Sequence, residues 1–134
     1  MLGPATVLIV DDESHVRAYV RMLLKELGIE SCWEATNGND VLGMVAEHRP
    51  RLVLLDLNLP GIDGLKVLAQ LTEAHPDVPV AIMTTQNSIE SVNEAVRLGA
   101  SGYILKHKPR PQVLAELREL IESLDDGEDG TETS

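Results

Sequence analysis

Phenylalanine is absent from this chain, and one Trp and two Tyr are its only aromatic residues. Its core must therefore be built from Leu, Val, Ile, Ala and Met. Cys32 is the single cysteine, which excludes an intramolecular disulfide and a thiolate metal cluster and fits a reducing compartment, the cytoplasm. Basic residues are scarce: 11 Lys and Arg face 22 Asp and Glu, a formal charge of −11. Nucleic-acid binding relies on Lys and Arg to neutralise phosphates. The balance thus argues against DNA, RNA or an anionic membrane as a direct partner. No apolar run approaches the roughly 20 residues of a membrane helix. The N-terminal "MLGPATVLIV" lacks the basic region of a signal peptide. At 134 residues the chain predicts one domain, large enough to need no covalent staples.

What is present alternates between two patterns. Apolar runs rich in β-branched residues occur at Thr6–Val10, Leu52–Leu55, Val80–Met83 and Tyr103–Leu105. Runs that are apolar at every position predict strands covered on both faces, as in a parallel sheet. Ile29–Thr36 is a weaker, mixed run suited to a sheet edge. Between these lie helical repeats. The first carries Val16, Val20, Leu23, Leu24 and Leu27, closed by Gly28, and the second covers Asn39–Glu47. A third carries Leu65, Leu68, Ala69 and Leu71, and a fourth Ile89, Val92 and Val96, with Asn87 as candidate N-cap and Gly99 as stop. The fifth carries Val113, Leu117, Leu120, Ile121 and Leu124, opened by Pro111. Strict βα alternation predicts an α/β fold, a doubly wound five-stranded parallel sheet with five helices. The acidic end, "DDGEDGTETS", reads as a disordered tail or the start of a linker over residues 125–134.

In open α/β sheets, ligands bind beyond the carboxyl ends of the strands. There the sequence places Asp11, Asp12 and Glu13 after the first strand, Asp56 after the third, Thr84 and Thr85 after the fourth and Lys106 after the fifth. Read singly, each has an ordinary explanation. Asp12 can cap the first helix, Asp56 can shape a turn, Thr84 can bond local backbone and Lys106 can be a surface lysine. Complementary groups ending four strands point instead to one crevice. Clustered carboxylates suit a hard cation such as Mg²⁺, which takes oxygen ligands and is commonly shared with a phosphate. A carboxylate can act as a nucleophile toward phosphorus, and a lysine can pair with a phosphoryl oxygen.

The stretches "LIVDDE" (8–13), "LLDLNLPGIDG" (54–64), "PVAIMTT" (79–85) and "GASGYILK" (99–106) resemble the response regulator receiver domain (CheY-like) of bacterial two-component signalling. The likeness spans about residues 5–124. It implies the flavodoxin-like strand order 2-1-3-4-5. It also implies Asp56 as phospho-acceptor, and Mg²⁺ or Mn²⁺ on Asp11, Asp12, Asp56 and the backbone carbonyl of Asn58. Thr84 and Lys106 match the phosphate-binding switch pair, and Tyr103 the aromatic that follows the threonine. Family side chains at positions such as Asn58 and Gln86 tune how long the phosphoryl group lasts. Glu13 lies beside the acidic pair, with helix N-terminal charge as its plain alternative. Thr85 stands where a small residue is common and would restrict access. The implied partners are a sensor histidine kinase or phosphotransfer protein and a downstream protein target or attached output domain. A weak homodimer is also admitted. The chain would modify only its own Asp56, and phosphorylation would rearrange the face formed by the fourth helix, fifth strand and fifth helix.

Lys106 is followed by His107 where many members have proline, which puts the usual cis bond in doubt. The basic "KHKPRP" reads as a solvated loop ahead of a docking patch. Trp33 and Met44 read as core or edge packing. Three other readings stand beside a free receiver. One is the excised receiver of a longer, NarL-type regulator. The second is a flavodoxin-like cofactor carrier, which would need a neutral hydroxyl-rich loop where "DDE" stands. The third is a phosphatase acting on external substrates.

Overall fold

The computed structural model describes the backbone of residues 7–133 and the side chains of residues 7–124. Strands β1 (Val7–Val10), β2 (Cys32–Ala35), β3 (Leu52–Leu55), β4 (Val80–Thr84) and β5 (Gly102–Leu105) form one parallel sheet in the order β2-β1-β3-β4-β5. Helices α1 (Ser14–Glu26), α2 (Val41–His48), α3 (Gly64–Ala74), α4 (Ile89–Arg97) and α5 (Arg110–Thr133) connect and cover the strands. This is the doubly wound architecture that the alternation predicts. Thr6, read as the start of the first strand, lies outside the described residues.

β1, β3 and β4 as far as Met83 are apolar at every position because they feed two cores. Val7 and Ile9, Leu52 and Leu54, and Ala81 and Met83 pack with α1 and α5. Leu8 and Val10, Val53 and Leu55, and Val80 and Ile82 pack on the other face with α2, α3 and Ala95 of α4. Successive side chains of a strand point to opposite faces. A strand buried on both sides is therefore apolar along its length, with β4 ending on one buried hydroxyl, Thr84. Burying one such Leu or Ile side chain is worth roughly 1.5–3 kcal/mol. β2, at the sheet edge, alternates instead. Its Trp33 remains 37% exposed and stacks on His48 at the end of α2, with ring centroids 3.8 Å apart.

Several boundaries differ from the sequence reading, each for a local reason. β2 is confined to Cys32–Ala35 within the expected Ile29–Thr36, since it pairs with β1 alone. The second helix does not begin at Asn39. The Asn37 side chain accepts from the Asp40 N–H and caps a 3₁₀ turn, Gly38–Asp40, which leads into α2. Helix α4 is capped by Ser88 rather than Asn87, with Ser88 Oγ accepting from Ser91 N at 3.1 Å. The helical backbone of α5 runs on through Thr133. The tail read over 125–134 falls on residues whose side chains, and for 134 the backbone too, lie outside those described. Among the described residues there is no cis peptide, so the bond between Lys106 and His107 is trans.

Gly64 opens α3 against the segment that follows β3. A Cβ there would sit 2.5 Å from Leu57 Cα and 2.9 Å from the carbonyl oxygen of Asp56. Backbone cannot yield as a side-chain tip can. Gly43, exposed in α2, has nothing within 4 Å of its would-be Cβ. The two glycines therefore predict opposite outcomes. Gly64→Ala is expected to destabilise by about 1–3 kcal/mol through overpacking. Gly43→Ala is expected to stabilise by roughly 0.5–1 kcal/mol through helix propensity. Urea midpoints at unchanged slope check both.

Candidate functional site

Register assembles the site. Val10 pairs with Leu55, and Leu55 with Ile82, so the residues just past β1 and β3 emerge side by side at the carboxyl edge. Thr84 pairs with Leu105, which sets Lys106 one residue beyond. Backbone bonds continue the ladder into the site: Asp56 N donates to Val10 O at 3.0 Å and Lys106 N to Thr84 O at 3.0 Å.

Asp11 and Asp56 are buried, at 3% and 2% exposure. Their charges are met by one cation: Lys106 Nζ donates to Asp11 Oδ2 and to Asp56 Oδ2, each at 2.8 Å. Two backbone N–H groups complete the carboxylates. Glu13 N donates to Asp11 Oδ1 at 2.9 Å, and Asn58 N to Asp56 Oδ1 at 3.1 Å. Burial holds the Asp11 carboxyl above the ordinary carboxylate range. The lysine and the Glu13 N–H pull the other way, and the Asp56 charge adds to the rise. Burial also works against the charge on Lys106, but its two carboxylate partners outweigh it and keep the ammonium above the usual lysine value. Asp12 is exposed and belongs to the same group: one carboxylate oxygen each from Asp11, Asp12 and Asp56 lie within 4.8 Å of one another. It does not cap α1. Glu13 holds the N-cap position and makes no side-chain cap bond. Its carboxylate faces outward, 3.4 Å from His15 Nε2, so its backbone, not its charge, serves the site.

The hydroxyl side is a connected network. Thr84 is fully buried. Asn58 Nδ2 donates to the hydroxyls of Thr84 and Thr85 at 3.5 Å, and Gln86 N to Thr84 Oγ1 at 3.4 Å. Gln86 Nε2 donates to Asn58 Oδ1. Tyr103 OH donates to the Gln86 carbonyl at 2.8 Å, and its phenol is pushed up first by burial and then by the negative Asp56. All the residues proposed from sequence therefore converge, apart from the outward-turned side chain of Glu13.

Two contributors escaped the sequence reading. Arg17 on α1 donates to the Asp11 carbonyl at 2.9 Å and to Glu34 of β2 at 2.7 Å, bracing the start of the acidic loop. Ser91 on α4 donates to Gln86 Oε1 at 2.9 Å. Arginine pairings across elements leave no local pattern. The Ser88–Ser91 spacing was the available signal for the second, since a serine cap bonds three residues ahead.

Residues 7–118 match the family described as the response regulator receiver domain. The chain belongs to that family. Over 116 residues this receiver is 35% identical to the DNA-binding transcriptional regulator NtrC of Salmonella typhimurium, covering 87% of the chain but only 24% of that regulator. It is 32% identical to the sporulation initiation phosphotransferase F of Bacillus subtilis, covering 86% of the chain and 89% of that protein. A crystal structure of NtrX from Brucella abortus superposes with a TM-score of 0.85 at 28% identity, over 98% of this chain and 30% of that one. The receiver thus spans about a quarter of NtrC and most of phosphotransferase F. Among its described residues, no helix is long and apolar enough to cross a membrane.

The raised Asp11 pKa fixes the sign of a pH effect. A carboxyl whose folded-state pKa is raised contributes stability that is present in acid and lost as pH rises through that pKa. Asp11→Asn removes the titration. In metal-free buffer the variant is expected to unfold at a higher temperature than the wild type near neutral pH. The difference should close as pH falls and wild-type Asp11 takes its proton. Melting curves against pH, with chelator present, check it.

Proposed function

We propose that Asp56 accepts a phosphoryl group from the phosphohistidine of a sensor histidine kinase or a phosphotransfer protein, and that the chain signals by the resulting change of shape. The observation that carries this reading is the single ammonium of Lys106 shared at 2.8 Å by two buried carboxylates at the carboxyl edge of the sheet. Three clustered carboxylates form an all-oxygen donor set without His or Cys, which suits Mg²⁺ or Mn²⁺. Asp11, Asp12, Asp56 and the backbone carbonyl of Asn58 would hold the ion. When bound, it supplies the positive charge that lets a phosphoryl group approach an acidic pocket.

A carboxylate oxygen of Asp56 attacks phosphorus. The P–N bond to the donor imidazole breaks, its electron pair returns to the ring nitrogen, and an acyl phosphate forms. Lys106 turns a donor from carboxylate to phosphoryl oxygen. Thr84 accepts bonds from Asn58 and Gln86 and still carries its own proton to donate. Drawn to the phosphoryl group, it leaves those partners. Tyr103, tied to Gln86, then reorients, and the face of α4, β5 and α5 shifts population toward an active state. The chemistry stops at the chain's own aspartate. The output is contact with a downstream protein in the cytoplasm, where a lone cysteine stays reduced, with weak self-association as an added readout. The small share of NtrC that is matched favours a second reading, in which an output domain follows residue 124 in the native protein. The length of the reading frame tests that.

Intact mass after incubation with acetyl phosphate and Mg²⁺ tests the main reading. One phosphoryl adduct is expected on the wild type, none on Asp56→Asn and none with chelator. Mg²⁺ alone is expected to raise the melting temperature of the wild type by mass action, and Asp12→Asn should abolish that rise. An unmodified wild type would overturn the reading.

A further inference from the structure

Hydrogen-bond directions at the mouth of the site run one way. Ser88 Oγ donates to Ser91 Oγ at 2.9 Å, and Ser91 Oγ donates to Gln86 Oε1 at 2.9 Å. Gln86 Nε2 donates to Asn58 Oδ1, and Asn58 Nδ2 donates to Thr84 and Thr85. An amide has one acceptor end and one donor end. Because Ser91 fills the acceptor end of Gln86, the donor end must face Asn58. Because Gln86 then fills the acceptor end of Asn58, the donor end of Asn58 must face the threonines. The orientation of both amides is set from α4. The chain of bonds joins the loop after β3 to the loop after β4 and the first turn of α4.

We propose that Ser91 is a positioning residue for the lifetime of the phosphoryl group, a role that rests on Asp56 being its acceptor. Ser91 holds Gln86 and Asn58 as a fence across the exposed side of the pocket, where Asn58 and Thr85 are open to solvent. Loss of the group requires water to reach phosphorus. The water oxygen bonds to phosphorus, the bond to the Asp56 oxygen breaks, and the products are the carboxylate and inorganic phosphate, which keeps the water protons. A fence of two oriented amides slows that approach. The lifetime therefore answers to the bond from Ser91 to Gln86.

The experiment measures phosphoryl loss by intact mass after acetyl phosphate is removed, at fixed Mg²⁺. Ser91→Ala is expected to shorten the lifetime about fivefold, the effect of one ordinary hydrogen bond. Ser91→Thr, which keeps the hydroxyl, should restore it. Asn93→Gly loosens α4 at an exposed position outside the chain of bonds and should leave the lifetime unchanged. Equal lifetimes for Ser91→Ala and wild type would overturn the proposal, as would failure of Ser91→Thr to rescue or an equal effect of Asn93→Gly. A wild type that takes no phosphoryl group removes the receiver chemistry itself. A wild type that takes one but ignores Ser91 removes only the positioning role.

Discussion

Two buried carboxylates cannot both stay ionised side by side without a cation, and in this molecule the cation comes from the far edge of the sheet. Lys106, with 8% of its side chain exposed, reaches back across β4 to Asp56 and Asp11. Isolated ionised groups placed in a core would neutralise or unfold it. Here three donors share the load: the ammonium, the Glu13 N–H and the Asn58 N–H. Each depends on a different structural decision. The ammonium needs the β4–β5 register, the Glu13 amide needs α1 to start where it does, and the Asn58 amide needs the turn after β3. The tight seat of Gly64 against Leu57 belongs to the same requirement, since it fixes the chain leaving Asp56.

The resting site is thus an electrostatic compromise. The ammonium is strongly held, whereas Asp11 is not fully satisfied: its burial outweighs the lysine's help. A pocket in that condition gains from any added positive charge and tolerates an anion only when one is supplied. Under the proposed function, acceptance of a metal and acceptance of a phosphoryl group would be linked by charge alone, before any detail of coordination is considered.

Much of this was legible in the residues. Strands apolar at every position announced a sheet covered on both faces, and polar groups ending four of those runs announced the edge where they would meet. The strand order came from family resemblance, because alternation alone does not rank strands in a sheet. What stayed hidden has physical causes. Asn87 and Ser88 are near-equal cap formers, and only the fold shows that Ser88 has Ser91 N in reach. Asp12 looked as much like a cap as a ligand until α1 began one residue later. The bond between Gln86 and Asn58 joins residues 28 apart in sequence. The Arg17–Glu34 pair likewise crosses between elements. Neither contact leaves a period or a spacing in the chain.

The Lys106 bridge also has a consequence for how the molecule comes into being. It joins Asp11 to a residue 95 positions later, on the loop that follows the last strand to leave the ribosome. The β1, β2 and β3 units can pair with near neighbours while that strand is still missing. Contacts of large sequence separation carry the highest closure cost and tend to form late. A chain stalled before β5 docks can hold most of its core, but it has two bare carboxylates and no ammonium. Closure of this bridge therefore reports that the entire sheet has assembled, since Lys106 can reach Asp11 only once β5 has docked.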